Sequence, residues 1–451
     1  MNRDIKSAPD TASIDPEQLV DVSLDEALAM AVNLHRSGNA ELAESLYRRV
    51  LQADPASPDA LHFLGVLLHQ RDRSDEAVEL IERSIALDPG QPDRYNNLGN
   101  VLLERGEFER AADVYGQAIT LQPGHADAHN NLGVLLRALQ RGDEAEQAYR
   151  RAIALNPEHV DAYNNLGMLL AARGATHDAV ACYCKAITLK PLNAQSRKLL
   201  GVAYYTIGEI DKAGEVFRQW LADEPDHPIA RHMLAACSGL DVPPRAADAY
   251  VAATFDAFAD SFDAKLERLN YRAPSLLVET LGRLAAADET LIVLDAGCGT
   301  GLCGSLLKPY AARLLGVDLS AGMLTRAAAR QVYDKLYKGE LTAFLTAHDA
   351  AFDIIVSADT LVYFGELGGV ARAACQALRP GGLLLFTVEA CDAGVAAGYR
   401  INPHGRYSHS GPYVADQLRA AGFELLQMAP AVLRSEAGED VHGLVVAARK
   451  P

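Results

Sequence analysis

The seven residues from Asp295 to Gly301, Asp-Ala-Gly-Cys-Gly-Thr-Gly, have types and spacing suited to chemistry. They follow the apolar run Leu291-Ile292-Val293-Leu294, so a buried strand ends on an acid and passes into a turn with glycine at 297, 299 and 301. Without Cβ atoms the turn can be tight and can lie against a bulky ligand. It reads as a cofactor cradle. Gly299-Thr300-Gly301-Leu302-Cys303-Gly304 also satisfies the GxGxxG pattern of dinucleotide folds, so the glycines alone do not choose between cofactors. Asp295 bears on that choice, because a carboxylate there repels a pyrophosphate and suits a ligand with a positive end. Nineteen residues after Gly299, a second short strand (313–317) ends in Asp318, placed to accept both ribose hydroxyls of an adenosine, a device nicotinamide enzymes share.

These acids need a sheet to hold them. Residues 352–357 read as a strand that delivers Asp359 and Tyr363 to the same edge, Arg379-Pro380-Gly381-Gly382 as a turn, and 383–386 as a fully buried strand. Strands alternating with helical stretches predict a doubly wound α/β domain, in which ligands sit outside the carboxyl ends of the strands. Asp295, Asp318, Asp359 and Glu389 are therefore expected to converge on one crevice. Asp353 is expected only to begin a strand.

The D-x-G-x-G-x-G run resembles the first motif of class I S-adenosylmethionine-dependent methyltransferases, and Val317-Asp-Leu-Ser-Ala-Gly-Met-Leu324 resembles their V-D-x-S-x-x-M-L segment. The resemblance implies a Rossmann-like domain that binds S-adenosylmethionine through Asp295, Gly297, Cys298, Gly299, Gly301, Asp318, Leu319 and Met323. It further implies adenine recognition by Glu340, beside Leu341. Phe255, Phe258 and Phe262, with Leu269 to Pro274, resemble the segment that forms a helical lid in many of these enzymes, but at helical spacing the three phenylalanines themselves are read as a core stripe. Tyr271 is the better site candidate there. Gly405-Arg-Tyr-Ser-His-Ser410 is a polar cluster expected in a loop. It resembles a segment of bacterial methyltransferases that carry tetratricopeptide repeats. Methyl transfer from a sulfonium is a direct displacement, so a carboxylate acceptor needs no base; a hydroxyl, phenol or amine would call on His409, Tyr407 or Asp359.

The first half repeats every 34 residues, with proline at 55, 89, 123, 157, 191 and 225, glycine at 65, 99, 133, 167 and 201, and alanine at 43, 77, 111, 145, 179 and 213. Period and small-residue positions match the tetratricopeptide repeat, a helix pair stacked into an all-α superhelix. Tyr115, Tyr149, Tyr183 and Phe217 are expected to fill the gaps beside the small residues. Six units fit between residues 24 and about 227, with a capping helix from Pro228 to Ala236. Asn97, Asn131 and Asn165 resemble groove asparagines of O-linked N-acetylglucosamine transferases, which contact peptide backbone. The same asparagines are also read as packing consensus.

The expected organisation is a flexible segment (1–23), six repeats with their cap (24–237), a linker (238–248) and the methyltransferase domain (249–451). A net charge of −17 argues against nucleic-acid binding. No stretch reaches the roughly 20 apolar residues of a membrane helix, and the polar N-terminus does not read as a signal peptide. Seven cysteines without a C-x-x-C pair fit a reducing cytoplasm and neither a disulfide framework nor a metal site. The functional reading is a cytoplasmic methyltransferase whose repeat groove recruits a protein or peptide, the methyl acceptor being unspecified. The alternatives are a repeat scaffold whose second domain binds cofactor without turnover, and an NAD-dependent oxidoreductase, which Asp295 disfavours.

Overall fold

The computed structural model describes residues 22–256, 259, 262–436 and 439–451. It divides into two compact units, residues 1–196 and 197–451. The expected flexible segment lies almost wholly outside the described residues; Ser23 caps the first helix in a reciprocal pair with Glu26.

In the first unit, helices pair as α1 (Leu24–Arg36) with α2 (Ala40–Ala53), α3 (Pro58–His69) with α4 (Ser74–Leu87), and α5 (Pro92–Glu104) with α6 (Phe108–Leu121). The pairs α7 (Ala126–Ala138) with α8 (Gly142–Leu155) and α9 (Val160–Ala172) with α10 (Thr176–Leu189) follow, and α11 (Ala194–Thr206) crosses the boundary between units. First helices start 34 residues apart, and each repeat proline lies two residues past the end of a second helix, where it stops it. The glycines give the helices room to touch. A Cβ at Gly133 would stand 2.6 Å from the Tyr149 ring, and one at Gly99 or Gly167 would collide with Tyr115 or Tyr183.

The asparagines have a different role from a bare groove surface. Asn131 Nδ2 donates to Asn96 Oδ1 (3.0 Å) and Asn100 Oδ1 (2.9 Å), and Asn165 Nδ2 donates to Asn130 Oδ1 (2.9 Å). Asn97 Nδ2 lies 3.1 Å from His62 Nε2, and Asn164 Nδ2 donates to Ser196 Oγ (3.0 Å). The amides tie each first helix to the next, so they contribute to stacking.

The second unit begins with α12 (Ile210–Asp223) and α13 (Pro228–Ser238), and a Cβ at Gly201 would collide with Phe217. Residues 238–248 are not a free linker. Pro244 O accepts from Gly365 and Glu366 N at 2.8 Å, Ala246 N donates to Tyr363 O (2.8 Å), and Arg245 forms a β-bridge with Phe364. Backbone groups that would be hydrated in a linker are paired here instead.

After α14 (Asp248–Asp256), α15 (Phe262–Arg268) and α16 (Ala273–Leu281), the chain alternates β1 (Leu291–Ala296), α17 (Gly304–Leu307), β2 (Ala311–Asp318), α18 (Ala321–Ala329) and β3 (Lys335–Lys338). It continues through α19 (Leu341–Thr346), β4 (Phe352–Ser357), α20 (Gly368–Ala377) and β5 (Leu378–Ala390). These strands run parallel in the order β3-β2-β1-β4-β5. The crossover falls between β1 and β4, so β1 and its following loop border the crevice. Then come β6 (Tyr399–Ile401), β7 (Tyr407–His409), α21 (Gly411–Ala420) and the hairpin β8 (Glu424–Glu436) and β9 (Glu439–Arg449), with β9 antiparallel to β5. The expected turn at Arg379–Gly382 is instead a register irregularity inside β5, with Gly381 at φ 79°. Both sheet faces are covered by apolar side chains, Val293, Ile354 and Leu385 on one and Leu294, Ile355 and Phe386 on the other.

Candidate functional site

A cavity of about 250 Å³ opens at the carboxyl ends of β1, β2 and β4, roofed by α14 and α15. Asp295, Gly297, Cys298, Gly299, Asp318, Leu319, Met323, Glu340, Leu341, Tyr271 and Asp359 all line it. Three other sequence candidates do not.

The glycine loop divides its labour. Gly297, at φ 76°, follows β1 where a Cβ would collide with the Thr360 side chain, whereas a Cβ at Gly299 would meet nothing closer than Phe262, 3.9 Å away. Gly299 is the open floor of the cradle. Gly301 is absent from the lining, because its Cβ position faces Tyr333 at 2.9 Å and Arg330 at 3.1 Å. Gly304 and Gly316 also make room for the Tyr333 ring, whose hydroxyl donates to Asp295 Oδ2 at 2.6 Å. The GxGxxG match thus arises from packing of this tyrosine.

Asp318 accepts from Gly299 N (2.9 Å) and Ser320 N (2.8 Å), so the acid at the end of β2 also holds the loop after β1. Burial pushes its carboxyl above the ordinary range, against the pull of those N–H groups. Asp295 is 1% exposed, and burial raises its pKa to about 7, opposed by the Tyr333 hydroxyl and reinforced by the charge of Asp318. Glu340 caps α19 through Thr342 and Ala343 N–H (2.9 and 2.7 Å) while lining the cavity. The roof is latched to this floor: Asp256 accepts from Ser320 Oγ at 2.5 Å, and Asp263 accepts from Thr300 Oγ1 at 2.5 Å and pairs with Arg330.

His409 and Tyr407 do not line the cavity. Both are 0% exposed on β7, His409 Nε2 lies 3.2 Å from Gly365 O, and Tyr407 Oη donates to Pro243 O at 2.7 Å. Burial lowers His409 to about 4 and raises Tyr407, leaving neither ready to exchange a proton near neutrality. Their neighbour Arg406 lines the cavity instead. Its Nε donates to Glu389 (2.6 Å) and its Nη2 to Glu436 (2.7 Å). Arg434 binds Asp359 (2.5 Å), Glu436 (2.7 Å) and Glu389, so Glu389 lies behind two guanidinium groups, outside the cavity lining. Burial raises Asp359 in spite of Arg434; Glu436, under an opposing burial effect, is pulled to about 2 by the two arginines.

Residue types alone did not mark Arg406, Arg434 or Thr360 as site residues. Phe255 and Phe262 line the cavity with Tyr363, correcting their assignment to a core stripe, and Phe258 lies outside the described residues. Asp353 accepts from Ile292 N (2.8 Å) and Arg379, a structural role.

Two family descriptions match: "Cilia and flagella-associated protein 70 C-terminal domain" over residues 20–269, more than half of the chain, and "Methyltransferase domain" over 294–386. A malonyl-[acyl-carrier protein] O-methyltransferase of Yersinia pestis is 32% identical over 143 residues, 31% of this chain and 50% of that protein. Methyltransferase-like protein 27 of Homo sapiens is 33% identical over 138 residues, 30% of this chain and 56% of that protein. The chain therefore spans about half the length of these curated relatives. Among solved structures, Pseudomonas aeruginosa pilF aligns at 22% identity and TM-score 0.41, over 47% of this chain and 96% of that one. Cut9-Hcn1 aligns at 17% identity and TM-score 0.44, over 49% of this chain and 45% of that one. No helix among the described residues is long and apolar enough to cross a membrane.

Proposed function

We propose that this chain, which belongs to the family of the cilia and flagella-associated protein 70 C-terminal domain and carries a methyltransferase domain, is an S-adenosylmethionine-dependent methyltransferase whose repeats recruit a protein partner or protein-borne acceptor. The observation that carries the cofactor assignment is the cradle itself: Gly299 open to the cavity, Asp318 holding its N–H, and Asp295 buried at the end of β1. These residues fit an adenosine with a cationic amino-acid end better than a pyrophosphate, which would meet two acids and no lysine or arginine on the loop. Bound there, S-adenosylmethionine supplies an electrophilic methyl group.

The chain's own residues do the rest. Asp318 is placed to accept ribose hydroxyls, Glu340 to meet the adenine amino group, and Asp295 to face an ammonium that would return its carboxyl to the ionised state. Leu319, Met323 and Leu341 offer apolar walls to the adenine, and Phe255, Phe262 and Tyr271 exclude water from above. Repeat recruitment rests on the stacked helix pairs, and the similarity to the Yersinia malonyl-[acyl-carrier protein] O-methyltransferase supports a protein-borne acceptor here.

Calorimetric titration of the full chain with S-adenosylmethionine and with NAD tests this reading. Micromolar binding of the first, roughly −8 kcal/mol, is expected. Asp318→Ala should weaken it by about 1.5–3 kcal/mol, the contribution of charged hydrogen bonds. Heat with NAD alone would sink the assignment. Cofactor binding with no labelled methyl transferred into any cell fraction would favour a scaffold.

A further inference from the structure

The acid at the end of β1 is held by one side chain that is not itself part of the cavity wall. Tyr333, in the turn between α18 and β3, donates its hydroxyl to Asp295 Oδ2 at 2.6 Å, and no other hydrogen bond reaches that carboxylate among the described residues. Asp295 lines the cavity and Tyr333 does not, so Oδ2 is spent on the protein and Oδ1 is left to what enters.

The chain clears a place for this ring and then fixes it. A Cβ at Gly301 would stand 2.9 Å from one ring edge, one at Gly304 2.7 Å from the hydroxyl, and one at Gly316 3.2 Å from the opposite edge. Both flanks are tied down as well. Arg330 Nε donates to Thr300 O in the glycine loop (2.6 Å) and Arg330 pairs with Asp263. Asp334 N donates to Leu314 O (2.8 Å) on β2, and Asp334 Oδ2 accepts from Leu314 N (2.7 Å). A side chain fixed by packing loses little freedom in making its bond, and a bond to an ionised carboxylate is among the stronger kinds.

The other titratable groups around Asp295 supply no counter-charge. Asp318, at the end of β2, opposes a second negative charge. Burial pushes Cys298 and Cys303 in the loop, and Tyr271 before α16, above their ordinary ranges. Asp359, beyond β4, is bound by Arg434. The cations lining the cavity serve other acids: Arg245 meets Asp248 and Glu340, while Lys265, Arg406 and Arg434 act on Glu436. Burial and the charge of Asp295 push the Tyr333 phenol up too, so it stays a donor throughout the neutral range. This hydroxyl is therefore what offsets the burial of the Asp295 carboxylate until a cationic ligand arrives.

Resting on the S-adenosylmethionine reading above, we propose that Tyr333 is a positioning residue of the cofactor site: by holding Oδ2 it aims the Asp295 carboxylate and keeps it an anion for the ligand's ammonium group. The proton that Asp295 carries in the empty site passes to solvent when the ammonium arrives, and no covalent bond to carbon changes. How much proton is released on binding is thus set from outside the cavity.

Calorimetric titration of the full chain with S-adenosylmethionine, and with methylthioadenosine, which lacks the amino-acid end, tests this. Repeating each titration in buffers of different ionisation enthalpy counts the protons released. With Asp295 at about 7 in the empty site, its ionisation should contribute about a quarter of a proton at pH 7.5. Tyr333→Phe keeps the ring and removes the donor. A rise of about one pH unit in the Asp295 midpoint should increase that release to about three quarters of a proton and weaken S-adenosylmethionine binding about tenfold at pH 6. Methylthioadenosine affinity should change less than twofold. An unchanged proton count, or equal weakening of both ligands, would overturn the proposal. Gly304→Ala, which leaves the hydroxyl but takes its space, should raise the count as well, and it decides if Tyr333→Phe does not fold; loss of fold in both would make the tyrosine structural and also overturn the proposal. Wild-type protein that fails to bind S-adenosylmethionine would strike the cofactor reading instead.

Discussion

Asp295→Asn should make the apo protein more stable and the cofactor site worse, both through one buried charge. In the unfolded chain this carboxyl ionises near 3.9. In the folded chain burial holds it at about 7. Between those values the folded state keeps a proton the unfolded state has lost, so stability falls as pH rises and levels off above about 7. At 1.36 kcal/mol per pH unit, the loss between pH 5.5 and 8 is about 2 kcal/mol, and asparagine, which cannot ionise, avoids it. The variant's advantage over wild type should widen by that amount, with the Tyr333 hydroxyl still finding an acceptor in the amide oxygen. Trp220, the only tryptophan and 1% exposed, lies in the same compact unit, so its fluorescence follows the relevant unfolding in urea. Cofactor affinity should move the other way. Wild-type affinity should climb with pH up to about 7 as Asp295 ionises, and the variant should show a flat profile and binding weakened by about 1.5–3 kcal/mol. A stability difference independent of pH would refute the account of the buried carboxyl; an unchanged affinity would remove Asp295 from the site.

Three further outcomes are expected. Gly297→Ala should weaken S-adenosylmethionine binding at least tenfold by calorimetry, because φ 76° and the Thr360 side chain both oppose a Cβ there. His409→Ala should lower the unfolding free energy by about 2–4 kcal/mol through lost packing, and Tyr407→Phe by about 1 kcal/mol. Both should leave cofactor affinity unchanged, and a normal melting curve with lost turnover would return them to the site. Replacing Asn97, Asn131 and Asn165 together by alanine removes the four hydrogen bonds made by their amide nitrogens and should destabilise the repeats by about 2–6 kcal/mol, at about 0.5–1.5 for each. A helical melting curve by circular dichroism checks this, and an unshifted curve would return the asparagines to the groove surface.

The β1-β2 side of the cavity was legible because its residues sit at strand ends a fixed distance apart, where the sheet must bring them together. Asp295 and Asp318 are positioned by neighbouring parallel strands in register, Asp295 opposite Gly316. The repeat array was legible for a similar reason, since a 34-residue period leaves little freedom in which residues touch. The β4 side was not. Arg434 reaches it from a long hairpin and Arg406 from the turn between two three-residue strands, and neither position carries a local pattern. The polar run around His409 looked like an exposed loop because polar side chains usually stay hydrated. Here backbone carbonyls of Gly365 and Pro243 lie against the two key side chains, partners far away in sequence. The aromatic stripe at Phe255 and Phe262 shows the converse limit, for helical spacing identifies a buried face without saying whether it covers a core or a cavity.

Arg406 also shows why the expected boundary at residues 238–248 fails physically. The residue before it, Gly405, has its carbonyl 2.7 Å from His232 Nε2 on α13, and that imidazole stacks on Tyr250 with ring centroids 3.8 Å apart. Gly405 adopts φ 88°, and a Cβ there would meet the Tyr250 hydroxyl at 2.8 Å, so the close approach is available only to glycine. The residue after it, Tyr407, is fixed through its hydroxyl to Pro243 O. Both flanks of the arginine are thus gripped by the helix that caps the sixth repeat and by the segment that follows it. His232 is 4% exposed, so its bond to Gly405 is shielded from water, and breaking it would leave a buried carbonyl without a partner. The last repeat and its cap are therefore part of the scaffold that orients Arg406, whereas Asp295 and Asp318 are carried on the ends of β1 and β2.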